Sequence, residues 1–221
     1  MEITSATAEL LELIGRASGD EKHDASSFST LDVLQVLYEM LRVDPADPGW
    51  EERDRFLLSK GHGPLAYYAV LAYNGFFPAD ELSKFMTWDG ILGGHPDRGR
   101  VPGVEVSTGS LGHGLPMAVG VAYALRARGL DTQRVFVLTG DAELNEGSNW
   151  EAIMHAGSAQ LANLTAIVVD NGSSNVRLGE IAAKLRAFGW DAAGVDGRDH
   201  DALREAYLHR SDRPTAVVAV V

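Results

Sequence analysis

Apolar residues recur at helical spacing in two early stretches of the chain. Leu10, Leu11, Leu13 and Ile14 share one face of an opening helix, with Gly19-Asp20 as its expected stop. Leu31, Leu34, Leu37, Tyr38 and Leu41 mark a second helix, expected from Thr30 and broken by "VDPADPGW". "DRFLLSKGHGPLAYYAVLAYNGFF" then reads as a short strand, a Gly-His-Gly turn and a helix. Further on the alternation becomes regular: "LPMAVGVAYALRARG" is helical, "RVFVLTG" a strand, "GSNWEAIMHAGSAQ" helical and "LTAIVVDN" a strand. "IAAKLRAFGW" and "DHDALREAYLHR" add two more helices, and "PTAVVAVV" supplies a last strand. Near-continuous apolar strands alternating with helices predict an α/β fold, a parallel sheet with helices on both faces. No internal repeat, low-complexity tract or linker interrupts it, so residues 1–221 read as one domain with an N-terminal helical extension.

One block departs from this rhythm. "WDGILGGHPDRGRVPGVEVSTGSLGHG" holds eight of the 24 glycines and two of the eight prolines. A compact domain rarely spends so many flexible residues on structureless chain, so this loop is expected to bring its backbone close to a ligand.

Composition narrows the chemistry. The 221 residues contain no cysteine, which removes disulfides, thiolate metal sites and a cysteine nucleophile. A net charge of −12 argues against nucleic acid and anionic membrane as partners, because phosphate backbones and headgroups are met with clustered Lys and Arg. It leaves room for a small phosphate ligand held by a metal and backbone amides. The acidic, amphipathic opening segment has no long apolar run of the kind a signal peptide or membrane span needs, so the cytoplasm is the expected location.

In open parallel sheets ligands sit beyond the carboxyl ends of the strands. Asp141 follows "VFVLTG" and Asn171 follows "AIVVD", so two oxygen donors arrive at the same rim. Hard cations such as Mg²⁺ take oxygen ligands and commonly share them with substrate phosphates. Gly140 would let the backbone turn sharply, and amides near Ala142 could face phosphate oxygens. Taken alone, the pair reads equally well as a helix N-cap at Asp141 and an ordinary Asn171-Gly172 turn.

The flanking residues add to this. "GDAELNEGSNWEAIMHAGSAQLANLTAIVVDNG" resembles the thiamine diphosphate signature of transketolases, and "SKGHG", "GGHPD", "STGSLGHGLPMAVGVAYALR" and "KLRAFGW…VDGRDHDAL" resemble further segments of that family in family order. Together they span most of residues 10 to 221. The resemblance implies the thiamine-diphosphate-binding fold, specifically its diphosphate-binding domain. It implies Asp141, Asn171 and the Ser173 carbonyl as ligands of Mg²⁺, or of another divalent cation such as Ca²⁺. It places Gly140, the Ala142 amide and His62 at the diphosphate, and Gly109 and Leu111 against the aminopyrimidine ring. His95 corresponds to a contact to the donor sugar, His23 to a histidine that handles the acceptor, and Glu146 and Glu151 to acidic residues at a subunit interface, the first in a proton relay. Histidines suit a ketol transfer, which moves protons on and off oxygen near neutral pH. For Glu146 and Glu151 the plainer reading is a solvated helix start.

Full-length transketolases continue into a domain that binds the pyrimidine, and the resemblance stops short of it. It therefore implies a split enzyme, with a separate C-terminal subunit carrying the pyrimidine-binding domain, a heterotetramer, and a sugar or sugar-phosphate substrate. Ala142 stands where the family has Gly, "EKHDAS" replaces the usual segment around His23, and the stretch after Asn171 is about ten residues short. These departures leave open a thiamine diphosphate enzyme of different carboligation or keto-acid chemistry, or a catalytically degenerate interaction subunit.

Overall fold

The computed structural model describes residues 4–17 and 24–221. Five strands, β1 (Arg55–Leu58), β2 (Val135–Gly140), β3 (Leu164–Asp170), β4 (Asp191–Asp196) and β5 (Thr215–Val220), form one parallel sheet in the order β1-β2-β3-β5-β4. The helices are α1 (Ser5–Gly15), α2 (Asp24–Tyr38), α3 (Leu65–Tyr73), α4 (Gly114–Ala127), α5 (Gly147–Ser158), α6 (Ile181–Ala187) and α7 (His200–Leu208).

Strand side chains alternate between two cores. Phe56, Leu58, Phe136, Leu138, Ile167 and Val169 share one core with residues of α1, α2, α3 and α7. Leu57, Val137, Ala166 and Val168 share the other with residues of α4, α5 and α6. With both faces covered, the central strands are apolar at nearly every position, which is why they read as continuous hydrophobic runs.

Helices α1 and α2 pack into the domain: Leu10, Leu13, Leu34 and Leu37 lie in the same core as Phe56 and Ile167. Two expectations from sequence change here. Helix α2 starts at Asp24 rather than Thr30. Its first turns are hydroxyl-rich, and Ser29 Oγ and Thr30 Oγ1 donate back to the Ser26 carbonyl at 2.9 and 3.0 Å, satisfying polar groups that would otherwise argue against a helix. Strand β4 was not expected at all. "DAAGVD" lacks β-branched and aromatic density, and it forms at the sheet edge because β5 offers it a ladder from Asp191↔Thr215 to Asp196↔Val220.

The glycine-rich loop is tied down from several sides. Tyr67 and Tyr68, both on α3, donate to the Gly103 and Gly93 carbonyls at 3.1 and 2.9 Å. Arg53 grips Glu105 through two hydrogen bonds of 2.7 and 2.8 Å. Thr108 Oγ1 donates to the Leu58 carbonyl at 2.6 Å, so the loop is fastened to the tip of β1. On the opposite flank buried Asp32 of α2 receives Arg198 and His200, joining α2 to the β4–α7 connection. Among the described residues no helix is long and apolar enough to cross a membrane.

Candidate functional site

Register fixes the rim. Leu58 pairs with Leu138, and Gly140 with Val169, so the chain leaves β1, β2 and β3 side by side. Residues 59–63, 141–146 and 171–174 follow directly, and the glycine-rich loop folds over them.

Asp141 is the centre of this rim. It is 2% exposed, and a buried carboxylate is costly unless charge-assisted hydrogen bonds hold it. Ser173 Oγ donates to its Oδ1 at 2.6 Å and the Ser174 amide to its Oδ2 at 2.9 Å. Asn171 lies at the surface of the same loop, where its Oδ1 accepts the Ser173 amide at 3.3 Å. The structure thus brings Asp141, Asn171 and Ser173 to one place. Among the described residues no three His, Asp or Glu side chains converge as a metal cluster. The donors gathered here are one carboxylate, one carboxamide and the carbonyl of the Ser173 loop. Such an all-oxygen set fits a hard divalent cation that takes its remaining ligands from phosphate and water. Each carboxylate oxygen keeps a second lone pair beyond the serine bonds.

Gly140 does not have the sharp-turn role expected of it: its φ is not positive, and a Cβ there would meet only Lys60 Cδ at 3.8 Å. Ala142 begins a short 3-10 turn, Ala142–Asn145, with no left-handed φ, so the backbone accepts alanine without strain.

The loops that follow pack backbone to backbone. A Cβ on Gly61 would lie 2.8 Å from the Gly109 nitrogen, and one on Gly109, at φ +150°, 2.5 Å from His95 Cδ2. Gly109 therefore seats the His95 ring, which is otherwise exposed. Half-buried His62 sits between Gly61 and Gly63 beside this contact. Leu111 is half-buried, and its carbonyl lies 3.0 Å from His113 Nδ1. Glu146 and Glu151 are exposed at the start of α5, and Glu146 packs its Cβ on Gly112. His23 lies outside the described residues.

Two further residues belong to the rim and were not singled out from sequence. Glu143 is 1% exposed; its Oε1 accepts Ser59 Oγ and, at 3.0 Å, the Gly112 amide, so it joins the β1 tip, the glycine-rich loop and the β2 tip. Burial pushes its carboxyl up, against the pull of Ser59, Gly112 and Lys60. Lys60 is 4% exposed, and burial pulls its ammonium down to about 8 although Asp141 and Glu143 favour its charge. A charged residue in a glycine-rich or acidic stretch ordinarily faces solvent, and nothing in the local pattern marks these as buried.

Residues 11–220 match the family described as "Transketolase, thiamine diphosphate binding domain". Among curated proteins the chain is 52% identical to "Ferredoxin fas2" of Rhodococcoides fascians, over 96% of this chain and 71% of the relative. It is 38% identical to "6-deoxy-6-sulfo-D-fructose transketolase subunit SqwG" of a Clostridium species, over 83% of this chain and 70% of that protein. Among solved structures it is similar to transketolase from Campylobacter jejuni, with a TM-score of 0.83 at 25% identity, over all of this chain but 38% of the other. The fold, the rim of oxygen donors and these likenesses agree: the chain belongs to the transketolase family, as its thiamine-diphosphate-binding domain.

Proposed function

We propose that this chain is the diphosphate- and Mg²⁺-binding subunit of a two-component transketolase that moves a two-carbon ketol unit from a ketose to an aldehyde. The observation that carries the reading is the convergence of Asp141, Asn171 and Ser173 at the β2 and β3 tips, under a loop in which a Cβ at Gly109 or Gly112 would meet atoms at 2.5–2.6 Å. Thiamine diphosphate, when bound, supplies the nucleophilic carbon and the electron sink. The chain's own residues hold and orient. Asp141, Asn171 and the Ser173 carbonyl hold the cation; Gly140, the Ala142 amide and His62 face the diphosphate; Gly109 and Leu111 offer backbone to the pyrimidine. His95, whose ring lies against Gly109, would exchange a hydrogen bond with a donor hydroxyl.

A second, partner chain is part of the same reading. His95, Asn171, Glu146 and Glu151 are all exposed, so the constellation is open on one side. The Clostridium relative is itself named as one subunit of a transketolase. In a heterotetramer Glu146 and Glu151 would be covered, and Glu146 would join a proton relay. The ferredoxin name of the Rhodococcoides relative does not carry over, because thiolate-held iron–sulfur clusters need cysteines and this chain has none. Of the two departures that favour a degenerate subunit, Ala142 sits in unstrained backbone, and the shortened stretch after Asn171 still stands for it.

Asp141→Ala tests the assignment. In the complex co-purified with its partner, thiamine diphosphate affinity is expected to lose its dependence on Mg²⁺ and fall by about a hundredfold or more. Unchanged, Mg²⁺-dependent affinity would overturn the metal site.

A further inference from the structure

Lys60 is the first residue but one beyond β1, and its side chain runs along Gly140 toward the Asp141 end of β2. It is 4% exposed, yet its ammonium makes no hydrogen bond or ion pair with any described residue; Asp141 and Glu143 reach it only through space. Its Nζ is not among the fully closed-off polar atoms, so it keeps some access to solvent. Three buried oxygens without partners, Thr139 Oγ1, Glu143 Oε2 and Asn149 Oδ1, belong to the end of β2 and the residues that follow it, and of these residues Glu143 acts on Lys60 through space. A buried ammonium with no bonded counter-ion is expensive, and packing alone gives no reason to keep it. An anion arriving at the rim would complete it.

We propose that Lys60 binds a phosphoryl oxygen of the diphosphate directly, as a second anchor that works without the metal. The inference rests on the thiamine diphosphate reading of the site and adds to it a ligand from the β1 tip. Asp141 reaches the anion through a cation; Lys60 reaches it as a point charge from the neighbouring strand. Glu143 is the positioning residue: it holds the β1 tip through Ser59 and the glycine-rich loop through the Gly112 amide, and its charge favours the protonated lysine. The site then carries two independent sources of positive charge, one resident and one recruited.

The test is calorimetric titration of the complex co-purified with its partner, using inorganic pyrophosphate and thiamine diphosphate, each with and without Mg²⁺. Wild type is expected to bind both, more tightly with Mg²⁺. Lys60→Met keeps the apolar stem and is expected to weaken binding by about tenfold to a hundredfold in both conditions. Asp141→Ala is expected to lose only the Mg²⁺-dependent gain. Because Lys60→Met leaves buried Glu143 without its neighbouring positive charge, Lys60→Met/Glu143→Gln is measured beside it, with thermal melting of each variant. The double variant is expected to remain weak. Recovery of wild-type affinity in it would make Lys60 a counter-ion of Glu143 only and overturn the proposal. Wild-type affinity in Lys60→Met with loss in Asp141→Ala would overturn Lys60 alone and leave the cofactor reading standing. No binding by wild type under any condition would overturn that reading, and this proposal with it.

Discussion

Glycine at a site is informative only when something replaces the missing Cβ. Gly112 has φ +79°, and a Cβ there would lie 2.6 Å from both Glu146 Cβ and Ser148 Oγ. Gly120, within α4, would meet nothing within 4 Å and has no left-handed φ. Gly112→Ala is therefore expected to cost about 1–3 kcal/mol, from left-handed backbone and crowding against α5. Gly120→Ala is expected to add about 0.5–1 kcal/mol. Urea unfolding of both variants checks the pair, and equal effects would show that the crowding at Gly112 relaxes. Residue types told where oxygen donors would be: Asp141 and Asn171 were legible because each follows an apolar run. The roles of Lys60 and Glu143 were not, because the same letters on a solvated loop would look identical.

At the scale of elements, strand β4 shows why short edge segments escape a pattern reading. Asp191, Ala192, Ala193 and Gly194 carry little strand preference, and the ladder from β5 supplies what they lack. The strand is also tied to the end of α7, where His209 Nε2 lies 2.8 Å from Asp191 Oδ2. That bond holds the Asp191 carboxyl below its ordinary value of 3.8. A carboxyl depressed by folding contributes stability above that ordinary value and loses it as pH falls through the lower folded one. Asp191→Asn is expected to cost less than about 1 kcal/mol at pH 6, since the pair is solvent-facing, and the gap to wild type should close in more acidic solution. Urea midpoints from about pH 6 down to about pH 2.5 measure this. A gap that persists at the acid end would assign the effect to packing.

For the whole molecule, the first helices supply part of the core. Leu10, Leu13 and Ile14 are buried, and α1 packs across α3. Each buried side chain of this kind stabilises by about 1.5–3 kcal/mol before the cost of ordering the segment. Deleting residues 1–17 is expected to lower unfolding stability by more than about 3 kcal/mol and to promote self-association through uncovered α2 and α3. Melting and size-exclusion chromatography test it; an unchanged melting temperature would show that α1 adds nothing to the stability of the core.

Hydrophobic periodicity by itself determined the layered parallel architecture, because strands buried on both faces and helices buried on one leave different spacings in the chain. The ordered set of segments from "SKGHG" to "KLRAFGW…VDGRDHDAL", rather than any one motif, determined the family. Only the tertiary structure decided what those residues meet. Lys60, Glu143 and Gly112 are far apart in sequence, and the β1–β2 register with the folding back of the glycine-rich loop brings them to one rim. Burial, which turns an ordinary lysine into an ammonium awaiting an anion, is a property of that packing and has no local signature in the chain.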